Sequence, residues 1–436
     1  MNELLVARLA RFSETCWEEL RERSTLDWIL FFAPLLVLEL PRYYLRILGV
    51  LVLSALGLPR RREPERAAIL RRAPRVSLLL VGRNEGDSIS SAIESALAQD
   101  YPDFEVIVVD DDSQDEMFAR ARRRRVPGRV RIVRNASGRG RTGKPAASNV
   151  GLRLATGEIL VAVDADTDCA PNLVREIVSR FSDPRVGLVA GNVRVGNAGT
   201  NLLTRLQAIE YALSIDLQRR WTDFLGCTFQ VSGAIFAVRR AALEQIGGWD
   251  PELAEDTDLS LRMLQAGWKV AFAPEALVHT RVPATAARLA RQRTRWDRGY
   301  LRALFRKHKR LLRPSAVSFA LARELWGEWV FVVLATLIHP LYLLWLASQG
   351  LPLFVAVTSV TAAASALLAL LVWIAVSFGT SPAARPGELL GAALLLPTYK
   401  ALLRWVRLRA LVLEFLRVDY EDPFLPDTAW FHAPRP

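Results

Sequence analysis

Cysteine is nearly absent from this 436-residue chain: Cys16, Cys169 and Cys227 make an odd three, at spacings that suit no metal site. That excludes a disulfide framework and fits a reducing cytosol. Charge is missing from two long stretches. Residues 351–378 carry none, and residues 329–347 form an apolar run interrupted by His339 and Pro340. Each is long enough for a bilayer core, which takes about 20 helical residues. A buried soluble helix is the competing reading, and it is weakest for 351–378. These stretches lack the intramembrane charges and repeats that a transporter needs. A P-loop is missing too: the run from Gly138 to Lys144 fails the required spacing, and Pro145 follows the lysine. A cleavable signal peptide is not expected, because the apolar core starts late and no small-residue cleavage site follows. No appended regulatory domain is expected either, since residues 419–436 read as a polar tail rich in proline and aromatics.

What is present is an apolar excess, 51% of residues, together with a net charge of +12. The excess lies before about residue 58 and after about residue 325, so one sizeable domain is expected between membrane segments. Residues 26–58 are broken by Glu39, Pro41 and Arg42, with arginines on both flanks. Positive flanks favour the cytoplasmic side, which predicts a hairpin turning at residues 39–42; one tilted helix with an interfacial partner is the alternative. Residues 389–399 form a third apolar stretch that spans only by recruiting residues beyond Lys400. The basic runs at 306–310 and 404–409 read as contacts with an anionic inner leaflet rather than with nucleic acid. The run at 122–125 suits a solvated face equally well.

The middle alternates strand-like and helix-like segments. Val76–Gly82 and Phe104–Asp110 are continuous apolar strands, 130–133 a third, and helix-period stretches at 88–98 and 118–125 separate them. This predicts an α/β fold with a mostly parallel sheet. Asp164 and Asp166 close another apolar run, so both acids point from the carboxyl edge of the sheet, where such folds bind ligands. Two close carboxylates invite a hard divalent cation, Mg²⁺ or Mn²⁺, shared with the phosphates of a nucleotide diphosphate. Arg83, Asn84, Glu85, Asp110 and Asp111 fall on the same edge, where acceptors can hold a base N–H and ribose hydroxyls. Asn84 and Asp112 also suit ordinary turns, and Asp115 suits a helix cap. Lys144 can reach a phosphate as a point charge.

Six motifs occur in one order: Arg83-Asn84-Glu85, Val109 to Ser113, Gly143 to Asn149, Asp164-Ala165-Asp166, Ala254-Glu255-Asp256 and Gln292 to Trp296. In order and rough spacing they resemble the family 2 glycosyltransferases. The resemblance is to the membrane-integrated branch of cellulose synthase, hyaluronan synthase and poly-N-acetylglucosamine synthase type. Two positions depart from the family: Asp112 replaces the usual glycine of the Asp-Asp-Gly-Ser turn, and Arg83 replaces the usual tyrosine. Both touch the base pocket.

The resemblance implies a GT-A (nucleotide-diphospho-sugar transferase) domain facing the cytoplasm, flanked by N- and C-terminal transmembrane helices of the inner membrane. Its divisions would be an amphipathic segment at 1–25, a membrane region at 26–58 and the catalytic domain at 75–280. Interfacial helices at 281–325, a transmembrane region at 326–400 and a basic segment and tail at 401–436 would follow. It also implies a UDP-sugar donor, with the diphosphate held through metal on Asp164 and Asp166, and the nucleoside on Asp110 and Asp111. Asp256, beside Glu255, takes the place of the family's general base, although Asp256 or Thr257 also suits a helix N-cap. An apolar strand at 231–238, with Gly233, would pass beneath the transfer site. Gln292, Arg295 and Trp296 share a helix face. Arg295 would grip the diphosphate and Trp296 would stack on the acceptor sugar; an interfacial tryptophan among snorkelling arginines is the alternative. One base and direct displacement invert the anomeric centre. The leading expectation is a processive β-linked polysaccharide synthase. Single-sugar transfer to a lipid acceptor and a catalytically silent membrane scaffold are the rivals. Few spans are available for a channel, which implies membrane lipids around the chain and a small partner subunit or homo-oligomer.

Overall fold

The structure is a computed structural model that describes residues 2–36, 45–55, 63–135, 143–250, 254–312, 329, 331–380 and 385–416. Helix α1 (Asn2–Arg21) leads to α2 (Thr25–Ala33), whose start is closed by a reciprocal cap. Ser24 Oγ accepts the Asp27 N–H at 3.3 Å, and Asp27 Oδ2 accepts the Ser24 N–H at 3.0 Å. Helices α3 (Leu45–Ala55) and α4 (Glu63–Arg72) follow. The hairpin turn expected at 39–42 lies outside the described residues, as do most of the glycine loop before Gly143, Trp326 and the tail.

The central domain runs β1 (Val76–Gly82), α5 (Ile89–Leu97), β2 (Phe104–Asp110), α6 (Met117–Arg123), β3 (Val130–Arg134), α7 (Lys144–Leu154) and β4 (Ile159–Asp164). It continues through β5 (Thr167–Cys169), α8 (Leu173–Arg180), β6 (Val186–Val195), α9 (Leu202–Tyr211), α10 (Gln218–Phe224) and β7 (Ile235–Arg239). Then come α11 (Arg240–Gln245), α12 (Glu255–Gln265), β8 (Lys269–Thr280) and α13 (Ala286–Arg302). One eight-stranded sheet has the order β3-β2-β1-β4-β7-β6-β8-β5. β3, β2, β1 and β4 are parallel, as the alternating pattern anticipates. The second half is mixed, because β7 enters antiparallel between β4 and β6.

Leu78, Leu80, Val106, Val108, Val161 and Val163 fill a core on one face of the sheet; Leu79, Val81, Ile107, Val109, Leu160 and Ala162 fill another on the opposite face. Burial on both sides is why these strands read as unbroken apolar runs. Gly82 pairs with Asp110, and Val81 with Asp164, so β1, β2 and β4 end level. That register gathers residues 83–85, 110–111 and 164–166 along one edge. The strand expected at 231–238 starts only at Ile235. Before it the chain turns, with Ser232 C=O accepting the Ile235 N–H at 3.2 Å, which sets Gly233 at the sheet edge.

Beyond α13 lie α14 (Phe331–Ser348), α15 (Leu351–Gly379) and α16 (Pro386–Phe415). The third apolar stretch does continue past Lys400, as one 30-residue helix to Phe415. Among the described residues, Leu351–Phe378 and Pro386–Phe415 are long and apolar enough to cross a membrane. Cys16, Leu20, Phe31 and Phe32 pack with Leu346, Leu353 and Val357, joining α1 and α2 to α14 and α15. Leu206 and Ile209 of α9 pack with Val372, Leu396 and Tyr399, which docks the central domain on α15 and α16. A polar bolt adds to this. Arg298 and Arg302 of α13, and Arg306 just beyond it, approach the buried Glu414 carboxylate of α16 at 3.0, 3.2 and 2.8 Å.

Candidate active site

Lys144 is the hub of the site. It opens α7 directly after Gly143, whose φ of 80° is a conformation that glycine adopts without penalty. Its Nζ lies 2.5 Å from Asp164 Oδ1 and 3.1 Å from Glu255 Oε1, and donates to the Gly233 carbonyl at 2.9 Å. One cation therefore ties the end of β4, the start of α12 and the turn before β7 together. Although burial opposes its charge, Asp164 and Glu255 hold the lysine pKa above its ordinary value. Burial opposes the Glu255 charge as well, yet Lys144 keeps that carboxyl below its usual range, helped by Arg295.

Asp256 points at the same turn. Its Oδ2 accepts the Gly233 N–H at 2.9 Å, and its Oδ1 accepts the Thr257 N–H at 2.7 Å. The alternative of a helix cap is corrected here. The N-cap is Ala254, in the left-handed region at φ 57°, and Asp256 sits inside the first turn. Burial, and then the Glu255 charge, push the Asp256 carboxyl up to about 6. Beside it Arg219 of α10 donates to Ser232 Oγ at 2.9 Å. Burial lowers that guanidinium to about 10 against the opposing pull of Asp256.

Asp164 and Asp166 stand on the adjoining edge. Burial raises Asp164 to about 6, with Lys144 opposing and Asp166 adding. Asp166 Oδ1 accepts from the Thr167 hydroxyl at 3.1 Å. Glu85 is pushed up to about 7 by burial and by Asp166. Lys144 meets Asp164 and Glu255, Arg219 lies by Asp256, and Glu85 and Asp166 add their charge beside Asp164; this excess of carboxylates suits a divalent cation. The described residues hold no group of three or more ligands placed around one metal position. The expected cation ligands, Asp164 and Asp166, are two hard carboxylates, a donor set that suits Mg²⁺ or Mn²⁺ when substrate oxygens and water complete the shell.

The residues expected to hold the nucleoside are in part structural. Asn84, at φ 57°, donates its N–H to Ser113 Oγ at 2.9 Å and accepts from the Gln114 N–H at 2.8 Å, which stitches the β1 and β2 loops together. Asp115 takes the Gly86 and Met117 N–H groups at 2.8 and 3.0 Å, fastening the start of α6. Asp111 accepts from Asn135 at 2.9 Å. Asp110 is buried, faces Arg134 at 3.5 Å, and has one oxygen without a hydrogen-bond partner. Arg83 Nε is likewise buried without one.

Gln292, Arg295 and Trp296 lie on α13. Arg295 reaches the field of Glu255. Gln292 Oε1 is buried without a hydrogen-bond partner. Trp296 is 40% exposed, and the Arg293 guanidinium stacks 4.4 Å from its ring centroid. The tryptophan lines a cavity with Glu210 and Arg404. The structure thus brings Lys144, Asp164, Glu255, Gly233 and Asp256 into direct contact, while Trp296 stands at a neighbouring cavity.

Arg219 and Asp258 escaped the sequence reading, and the basic run at 306–310, expected at an anionic leaflet, turns inward in part: Arg306 meets Glu414 at 2.8 Å, Lys307 meets Asp250 at 2.9 Å, and His308 is buried. Asp258, two residues beyond Asp256, is buried with Oδ1 2.8 Å from His308 Nε2 and 2.8 Å from Lys307 Nζ. Its other oxygen lies 3.4 Å from Arg262. Only the Asp258–Arg262 spacing of four was visible locally, since the histidine is 50 residues away.

Residues 74–299 match the family described as glycosyltransferase like family 2. A poly-beta-1,6-N-acetyl-D-glucosamine synthase of Staphylococcus epidermidis is 29% identical over 269 residues, covering 60% of this chain and 64% of that protein. The probable glycosyltransferase YdaM of Bacillus subtilis is 32% identical, over 53% of this chain and 56% of its own length. An N-acetylglucosaminyltransferase of Rhizobium meliloti is 31% identical, over 53% and 57%. The matched part thus spans somewhat more than half of these relatives. In fold, the chain is similar to the mannosyltransferase PcManGT of Pyrobaculum calidifontis, solved with GDP-Man and Mn²⁺. That likeness has a TM-score of 0.56 at 20% identity, covering 86% of this chain and 99% of that one. With more than half its length matched and a GT-A fold, the chain belongs to the family described as glycosyltransferase like family 2.

Proposed function

We propose that this protein is a membrane-integrated, inverting glycosyltransferase that extends a β-linked polysaccharide from a UDP-sugar. The observation that carries the reading is the Asp256 carboxylate, fixed by the Gly233 N–H at 2.9 Å beside the Asp164–Lys144–Glu255 chain. Asp256 would take the proton of the acceptor hydroxyl. That oxygen then bonds to the anomeric carbon as the carbon–oxygen bond to the diphosphate breaks, and the electron pair leaves with the diphosphate. Attack from the opposite face inverts the centre, so an α-linked donor yields a β-linkage.

Lys144 would lend positive charge to the departing diphosphate while keeping Glu255 ionised. Asp164 and Asp166 would hold Mg²⁺ or Mn²⁺, which supplies Lewis-acid stabilisation of the leaving group when bound. The buried, unbonded oxygen of Asp110 suits a donor from the base or ribose. Arg295, close enough to influence Glu255, would orient the diphosphate, and Gln292 and Trp296 would meet the acceptor. Two long apolar helices and relatives named as N-acetylglucosamine polymer synthases support the membrane and polymer parts of the reading. The test follows nucleotide release by the full chain in membrane vesicles across a panel of UDP-sugars, with UDP-N-acetylglucosamine first, and sizes the labelled product. A high-mass product from one donor is expected. A small solvent-extractable product would refute polymer synthesis, and no turnover with any donor would refute the enzyme.

A further inference from the structure

We propose that Arg219 of α10 is a positioning residue for transfer: it fixes the turn on which the Asp256 carboxylate hangs and adds the positive charge that keeps this carboxylate ionised. The inference rests on the reading of Asp256 as the base. Ser232 and Gly233 join three charged side chains. Ser232 Oγ accepts from Arg219 at 2.9 Å, the Gly233 N–H donates to Asp256 at 2.9 Å, and the Gly233 carbonyl accepts from Lys144 at 2.9 Å. The other arm of the guanidinium donates to the Gly191 carbonyl of β6 at 3.4 Å. One planar fork thereby spans a strand and the turn, which the single nitrogen of a lysine does not reproduce. Helix α10 is itself held at both ends. Asp216, buried just before it, pairs with Arg220 at 2.5 Å, and Asp223 accepts the Phe272 N–H of β8 at 3.1 Å.

The charges that act on Asp256 are Glu255 on its own helix, Lys144 of α7 and Arg219 of α10. Lys144 is shared with Asp164 and Glu255, at 2.5 and 3.1 Å. Arg219 gives its hydrogen bonds to a hydroxyl and a carbonyl, both neutral. Among the described residues, the carboxylate whose field reaches it is Asp256. A buried guanidinium with neutral hydrogen-bond partners opposes folding unless its charge is used. Burial lowers it only to about 10, so it remains a cation at neutral pH. The Glu255 charge favours a proton on Asp256, and Arg219 opposes that. Arg219 therefore does for Asp256 what Lys144 does for Glu255.

The test compares the detergent-purified full chain with its Arg219→Met, Arg219→Lys and Asp256→Asn variants. UDP release is followed from about pH 5 to about pH 8, with UDP-N-acetylglucosamine first and then the rest of the donor panel, and melting curves are recorded beside it. In Arg219→Met the acid limb should move up by about one unit and kcat should fall about tenfold, while donor KM stays within about threefold. The sign follows from charge: without the cation the protonated carboxyl is favoured, so a higher pH is needed to ionise the base. Arg219→Lys should return the limb to its wild-type position and restore only part of kcat, because the charge is kept and the fork is lost. An acid limb that Asp256→Asn removes and Arg219→Met leaves in place refutes the role of Arg219 alone, even if the melting temperature drops, since a purely structural arginine moves stability and not the limb. If Arg219→Met does not fold, full wild-type kcat in Arg219→Lys overturns the positioning role. A limb that survives in Asp256→Asn, or a wild type that releases no UDP from any donor, refutes the base and this inference together.

Discussion

Asp256→Asn separates chemistry from architecture better than any other single change. The carboxylate now accepts two backbone N–H groups, from Gly233 at 2.9 Å and Thr257 at 2.7 Å. An amide keeps one acceptor oxygen and turns an NH₂ toward the other donor. A backbone N–H left unsatisfied costs about 1–3 kcal/mol. Relief of the half-buried charge offsets part of that, so the melting temperature should fall by a few degrees at most. Loss of a general base costs about 10²–10⁴ in turnover, or roughly 3–5 kcal/mol in the barrier. The assay is UDP release in single turnover, with donor affinity measured by calorimetry. Turnover should collapse while donor affinity stays within about threefold. The pH profile adds a second readout. Burial and Glu255 raise the Asp256 carboxyl to about 6, and the base works only when ionised. Wild-type turnover should therefore fall as pH drops through about 6, above the ordinary carboxylate range, and the residual activity of the variant should lack that limb. More than about a tenth of wild-type turnover, or an unchanged acid limb, would refute the assignment.

Asp258→Asn should cost about 1–3 kcal/mol, because it weakens the contacts of a buried carboxylate with His308 and Lys307, although Asp250 still holds the lysine at 2.9 Å. A drop in melting temperature together with lower kcat and unchanged donor KM is expected, and an unaltered melting curve would sink the clamp. Trp296→Ala should reduce polymer formation more than donor hydrolysis, and equal loss of both would count against an acceptor role. Chelation by EDTA should abolish transfer, with recovery on adding Mg²⁺ or Mn²⁺. Turnover that survives chelation would remove the metal from Asp164 and Asp166.

The parallel half of the sheet was legible because strands buried on both faces leave an unmistakable apolar run, as at Leu78 to Val81 and Val106 to Val109. Their level ends follow from register, so Asp164 could be placed beside residues 83–85 and 110–111 without coordinates. The mixed half was harder to read. Val231 is as apolar as Ile235, yet Ser232 and Gly233 turn the chain to serve Arg219 and Asp256, and only those distant partners explain the late start of β7. From its local sequence alone Asp256 read better as a cap, and only the other motifs favoured a base, since Ala254 in a left-handed conformation leaves no mark in sequence. Lys144 was expected to meet a phosphate. That two carboxylates hold it first depends on α12 folding back onto the start of α7, a contact spanning more than 100 residues.

The arginine ladder at the end of α13 and just beyond it has a consequence for dissecting the protein. Arg298, Arg302 and Arg306 meet their shared carboxylate, Glu414, only because the chain returns more than 100 residues later. A fragment trimmed to the catalytic portion would keep three closely spaced cations and discard their shared carboxylate, so the end of α13 and the turn after it would repel themselves. Soluble truncation is thus the wrong route to a faithful enzyme. Domain swaps with relatives should exchange α13 and α16 as one cassette, because each was shaped in the presence of the other.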